Sequence, residues 1–84
     1  MRQIVAPEAW EDDLHWQQSD RKMLQRINRV IADIQRDPFG GIGKPEPLRH
    51  ALSGYWSRRI HDEHRIVYKV AADALLIAQL RHHD

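Results

Sequence analysis

Glu46 stands between Pro45 and Pro47, just after a stretch that holds Gly40, Gly41 and Gly43. Two prolines restrict the backbone around this carboxylate. A carboxylate so held could act as a general base, although taken alone it also reads as a solvated loop residue. The cationic side chains are the second chemical resource. Ten of the 13 basic residues are Arg, and five of the six His lie after residue 49 (His50, His61, His64, His82, His83). Arg forms planar forks with phosphate, whereas Lys is a point charge. Residues 1–20 carry five acids against one base, while residues 21–69 carry eleven bases against five acids. A formal net charge of +1 therefore hides a basic, His-rich second half. Such a half suggests an anionic partner, with RNA or DNA the default candidates; the plain alternative is a solvated charged face.

Other chemistries are excluded. The absence of Cys removes disulfides, Cys-based zinc sites and thiol nucleophiles. His61, His64, His82 and His83 do not fall into an H-E-x-x-H spacing, and no carboxylate completes a ligand set, so neither a metal nor a cofactor is expected. With 84 residues, 42% apolar and 30% charged, the chain reads as one globular domain over 1–84. It has no signal-peptide core and no apolar run long enough to cross a bilayer, so a cytoplasmic protein without a membrane partner is expected.

The elements that must position these groups follow from the spacing of apolar residues. Residues 2–6 read as a short strand ended by Pro7, which can begin a helix whose first turns carry Glu8, Glu11, Asp12 and Asp13. Ser19 or Asp20 can cap a second helix. There Met23, Leu24, Ile27, Val30, Ile31 and Ile34 form one stripe, and Arg21, Arg26, Arg29 and Asp33 fill the other face, up to Asp37-Pro38. The Gly- and Pro-rich segment 39–47 is irregular. Residues 55–61, 64–70 and 75–83 read as three strands joined by short turns at Asp62-Glu63 and Ala72-Asp73, hence an antiparallel meander.

Strand parity sorts the side chains by face. Ile66, Tyr68 and Val70 oppose Arg65, Val67 and Lys69. Ser57, Arg59 and His61 oppose Trp56, Arg58 and Ile60. In the last strand Leu76, Ala78 and Leu80 oppose Ile77, Gln79, Arg81 and His83. With the helices covering the apolar face, the other face is expected to be concave and cationic, gathering Arg59, Arg65, Arg81 and His83.

The run Asp37-Pro38-Phe39-Gly40-Gly41-Ile42-Gly43-Lys44-Pro45-Glu46-Pro47-Leu48, followed by Leu52-Ser53-Gly54-Tyr55-Trp56-Ser57-Arg58-Arg59-Ile60, Glu63-His64-Arg65-Ile66-Val67-Tyr68 and the closing Arg81-His82-His83, strongly resembles the Txe/YoeB family of toxins within the RelE-like superfamily. The resemblance covers essentially the whole chain. It implies an α+β RelE-like fold, with two N-terminal helices packed on a twisted antiparallel sheet. It also implies the toxin of a bacterial type II toxin–antitoxin module, an endoribonuclease that cleaves mRNA in the A site of the 70S ribosome. Its implied partner is a cognate YefM/Phd-type antitoxin. Operator DNA is bound only as the toxin–antitoxin complex, and homodimer formation is left open. By matching positions, Glu46 is the implied general base, His83 the general acid and Arg65 the group that stabilises the phosphoryl transition state. Arg59 positions phosphate, and Arg49 stands where the family has a basic residue near the same site. Lys44 and Arg81 complete the expected substrate-binding set.

The implied chemistry is self-consistent. RNA supplies its own nucleophile, the 2′-OH, so the first step needs a base, an acid and a cation for the developing phosphoryl charge, and no metal. The expected product is a 2′,3′-cyclic phosphate that can open to a 3′-phosphate. This chain departs from the family pattern at Asp84, where members carry an aromatic residue directly after the His. That departure leaves a second reading: a catalytically weakened, antitoxin-binding and operon-regulating module.

Overall fold

The computed structural model describes residues 1–82. The chain runs β1 (Arg2–Val5), α1 (Pro7–Ser19), α2 (Arg21–Arg36), β2 (Glu46–Pro47), a 3₁₀ turn (His50–Leu52), β3 (Trp56–His61), β4 (His64–Ala71) and β5 (Ala74–Gln79). Asp20 divides the helices. Its backbone N–H donates to the Trp16 carbonyl at 2.9 Å, closing α1. Its carboxylate accepts from the Met23 N–H at 3.1 Å, opening α2. Pro7 begins α1, as proline at a first turn can.

The strands form one five-stranded sheet in the order β1-β5-β4-β3-β2. β2 to β5 pair antiparallel. β1 adds to the edge of β5 in parallel, with Arg2 opposite Ala74 and Val5 opposite Ile77. The expected meander is therefore present, and the parallel edge strand makes the sheet mixed. Met23, Ile27, Val30 and Ile34 of α2 are buried, with Leu24 and Ile31 packed beside them. They meet Ile66, Tyr68, Leu75 and Ile77 from the sheet and Ala9 and Trp16 from α1. The stripe read from the sequence is this helix face.

Two local expectations are corrected. The last strand ends at Gln79, and its inward residues are Leu75 and Ile77 rather than Leu76 and Ala78. A register shift lies between Val67 and Tyr68: Val67 pairs with Gln79, but Tyr68 pairs with Ile77. Ala78 is thus a bulged residue. The bulge reverses the alternation, so Leu80 is buried again. The second correction concerns Glu46-Pro47, which are not loop: they pair with Ser57 and Trp56 as a two-residue edge strand. Proline is tolerated there because an edge strand leaves one side of its ladder unpaired.

One inward residue is charged. Arg58 shares the face of Trp56 and Ile60, and it is fully buried. Its guanidinium donates to Tyr68 Oη at 3.1 Å, Asp33 Oδ2 at 2.6 Å, the Ile42 carbonyl at 3.2 Å, and the carbonyls of Asp37 and Gly40. The Tyr68 hydroxyl passes a hydrogen bond on to the Pro38 carbonyl at 2.6 Å; burial pushes its pKa up and keeps it a donor. Asp33 also accepts from the Ile42 N–H at 2.9 Å. Every irregular turn between α2 and β2 is therefore tied to a single cation. Gly43 completes the seam. It adopts φ +82, its carbonyl accepts from the Arg59 N–H at 2.7 Å, and a Cβ there would stand 2.7 Å from the Arg59 carbonyl.

Replacing Arg58 with Met should leave the Asp33 carboxylate and the facing carbonyls without their donor. The expected loss is about 3–5 kcal/mol, the usual cost of breaking a buried ion pair from one side, read as a lowered urea midpoint. Asp33 is held down at about 2, below the ordinary 3.8, by Arg36, the Ile42 amide and Arg58. A carboxyl depressed on folding stabilises fully above its unfolded pKa, and that stabilisation is lost as pH falls through the folded value. The wild-type Tm should therefore fall between about pH 4 and pH 2, and the fall should be shallower in Asp33→Asn.

Candidate active site

The sheet face opposite the helices carries the charged set. Register places Glu46 beside Ser57 and Arg59 beside Arg65. Directly paired residues share a face, so β2, β3 and β4 present Glu46, Ser57, Arg59 and Arg65 together. The Arg65 guanidinium donates to Glu46 Oε1 at 3.0 Å, and the same nitrogen lies 3.5 Å from Ser57 Oγ. The ion-pair partner of Arg65 in the structure is thus Glu46. Side-chain exposure is 58% for Glu46 and 37% for Arg65, so a ligand can reach both.

Lys44 and Arg59 lie on the flank of this pair. With Arg26 and Arg29 of α2 they line a groove of about 390 Å³, floored by Val30, Ile42 and Ile60. Lys44 holds a left-handed backbone, φ 54, at the point where the chain leaves Gly43 for Pro45. Arg49 is exposed at the start of the 3₁₀ turn, three residues after Glu46. Further along the same face, Lys69 Nζ sits over the Tyr55 ring, 5.5 Å from its centroid.

Arg81 lines a cavity with Pro7, Glu8, Glu11 and Asp12 at the start of α1. Of the expected cationic face, the register brings Arg59 and Arg65 together; Arg81 follows the buried Leu80 just past the end of β5. His83 lies outside the described residues. Sequence reasoning missed Ser57 as the bridge beneath Arg65, and it missed the role of Arg58. The signal for Arg58 was present: an Arg on the same strand face as Trp56 and Ile60 needs a buried partner.

A carboxylate bonded to a guanidinium, with more guanidinium beside it, is suited to proton abstraction next to a phosphate. The family profile of the "YoeB-like toxin of bacterial type II toxin-antitoxin system" matches residues 5–84. The chain belongs to this family. It is 61% identical to a YoeB toxin of Streptomyces coelicolor over 83 residues, 99% of each chain. A YoeB/ParE toxin from Agrobacterium tumefaciens superposes with a TM-score of 0.96 at 43% identity, covering 100% of both chains. The toxin chain of a heterotetrameric YoeB–YefM toxin–antitoxin complex from Staphylococcus aureus superposes with a TM-score of 0.93 at 42% identity, covering 100% of this chain and 98% of that one. As a YoeB-like toxin, the chain has an α+β, RelE-like architecture, with the Glu46–Arg65 pair on the sheet face away from its helices.

Because the pair is exposed, it contributes little to stability. Glu46→Gln should change the unfolding free energy by less than about 1 kcal/mol, the usual worth of a surface ion pair. Urea denaturation beside Arg58→Met separates the two kinds of arginine.

Proposed function

We propose that this YoeB-like toxin is an mRNA endoribonuclease acting in the ribosomal A site, and that its cognate antitoxin is of the YefM/Phd type. The observation that carries the reading is the Arg65–Glu46 hydrogen bond at 3.0 Å on an open sheet face, flanked by Arg59. A carboxylate and a guanidinium within one hydrogen bond of each other support the roles of base and phosphate-binding cation. In the free protein the carboxylate occupies the cation. An incoming phosphodiester competes for Arg65, and a surface pair yields it at small cost. The displaced Glu46 is then next to the ribose that bears that phosphate.

In the proposed step, Glu46 takes the 2′-OH proton as O2′ bonds to phosphorus. The P–O5′ bond breaks, and the proton for O5′ comes from His83, a role assigned by resemblance. Arg65 faces the charge that develops on the non-bridging oxygens. Arg59 and Lys44, which line the groove, hold neighbouring phosphates. Arg49 is close enough in sequence to serve the nucleotide on the far side of Glu46. The products are a 2′,3′-cyclic phosphate and a 5′-hydroxyl. The basic outer stripe of α2 (Arg21, Arg26, Arg29, Arg36) is suited to ribosomal RNA phosphates. A complex like the one solved for the Staphylococcus aureus relative would neutralise this face, and operator DNA would be bound only in that complex.

Induced expression followed by 5′-end mapping of ribosome-bound mRNA tests the reading. Growth arrest with A-site cuts is the expected result. Glu46→Gln should lower the cleavage rate by roughly 10²–10⁴-fold, the usual contribution of a general base. A single 2′-deoxy nucleotide at the cut site should abolish cleavage there. Tight antitoxin binding by the wild type without any cut would instead support the non-enzymatic binding module.

A further inference from the structure

Side chains from distant parts of the chain hold Leu80 and His82, and a local one holds Arg81. The Leu80 N–H donates to Asp12 Oδ2 at 2.9 Å, and the Leu80 carbonyl accepts from Trp16 Nε1 at 3.0 Å. The Arg81 carbonyl accepts from Gln79 Nε2 at 2.7 Å. The His82 N–H donates to His64 Nδ1 at 3.1 Å. The His64 ring is itself fixed, standing edge-on to Trp16 with centroids 4.8 Å apart at 84°. His64 opens β4 and directly precedes Arg65. Neighbours in a strand point to opposite faces. One strand end therefore serves both sides of the sheet: Arg65 faces the candidate site, and His64 faces α1 and the terminal segment.

The His82 bond dictates a protonation state. An imidazole nitrogen accepts only when it carries no proton, so His64 must be neutral with its hydrogen on Nε2. Protonation would set an N–H against an N–H. We propose that His64 is a positioning residue: its neutral ring accepts the His82 amide and thereby fixes the backbone from which His83 departs. The inference rests on the reading above, in which His83 protonates the leaving 5′ oxygen. A proton donor must be held close to its working geometry, and a displacement of about an ångström can cost two orders of magnitude in rate. Charged and titratable neighbours surround His64 on each element. Glu63 Oε1 lies 4.0 Å from its Nε2 in the same hairpin. His61, paired with Asp62, is its register partner across β3. Asp12 and His15 sit on α1 around Trp16. Arg81 and His82 belong to the terminal segment.

Two measurements on the full chain test the proposal. In ¹H–¹⁵N spectra recorded against pH, the His82 amide should show a step with the same midpoint as the His64 ring protons, besides any step from its own ring. That step should vanish in His64→Asn, whose Oδ1 replaces Nδ1 as a non-titrating acceptor. A His82 amide that ignores the His64 titration overturns the anchor without any variant. In single-turnover and steady-state cleavage of ribosome-bound mRNA, His64→Phe keeps a ring against Trp16 but has no acceptor. It should lower kcat roughly tenfold with KM within about twofold, and His64→Asn should restore most of the rate. Wild-type kcat in His64→Phe, with His83→Ala inactive, refutes the positioning role and leaves the endoribonuclease reading standing. Full activity in both Glu46→Gln and His83→Ala refutes that reading itself.

Discussion

The buried guanidinium of Arg58 is the constraint on which the site depends. A charge with no exposed surface is costly unless its donors are matched, and here the acceptors come from Asp33 at the end of α2, the turn carbonyls of Asp37, Gly40 and Ile42, and the Tyr68 hydroxyl on β4. No turn in that segment has a hydrophobic core of its own. The cation replaces one, drawing successive carbonyls inward until the chain emerges at Gly43 in register with β3. Glu46 reaches its place opposite Ser57 because everything before it is tied down.

This arrangement separates two uses of arginine on adjacent strands. Arg58 faces inward, fully desolvated, and is structural. Arg59 faces outward, and Arg65 on the next strand faces outward beside it, both open to a ligand. The alternation of a β-strand assigns these fates, so a one-residue slip of β3 would exchange them. The Arg58 network and the Gly43–Arg59 backbone bond both oppose such a slip. The stable interior and the accessible exterior are thus set by one register.

Much of this was legible in the sequence. The stripe from Met23 to Ile34, the Asp20 cap and the turns at Asp62-Glu63 and Ala72-Asp73 all obey local rules, and local rules suffice where the period is clean. Parity put Arg59 and Arg65 on one face, but their direct pairing was not readable: His61 pairs with His64, and a regular ladder from there would set Arg59 opposite Ile66, so the pair depends on an irregularity between Arg59 and His61. The last strand did not yield to the same reasoning. Leu75-Leu76-Ile77-Ala78 has no alternation to reveal its inward face, and a bulge at Ala78 then inverts whatever phase is assumed. β1 was recognised as a strand, but its parallel partner lies about seventy residues away, beyond any local signal. The Glu46–Arg65 bond was missed as a contact because β2 is only two residues long, too short to register as an element.

The strand order has a consequence for how the molecule comes into being. β5, the last strand in sequence among the described residues, lies inside the sheet between β1 and β4. β1 therefore has no partner strand until β5 is in place, and closing so long a loop is slow compared with forming helices or hairpins. α1, α2 and the β3–β4 hairpin can form from nearby segments, whereas the first strand and the Asp12 and Trp16 contacts to Leu80 require β5 to be in place.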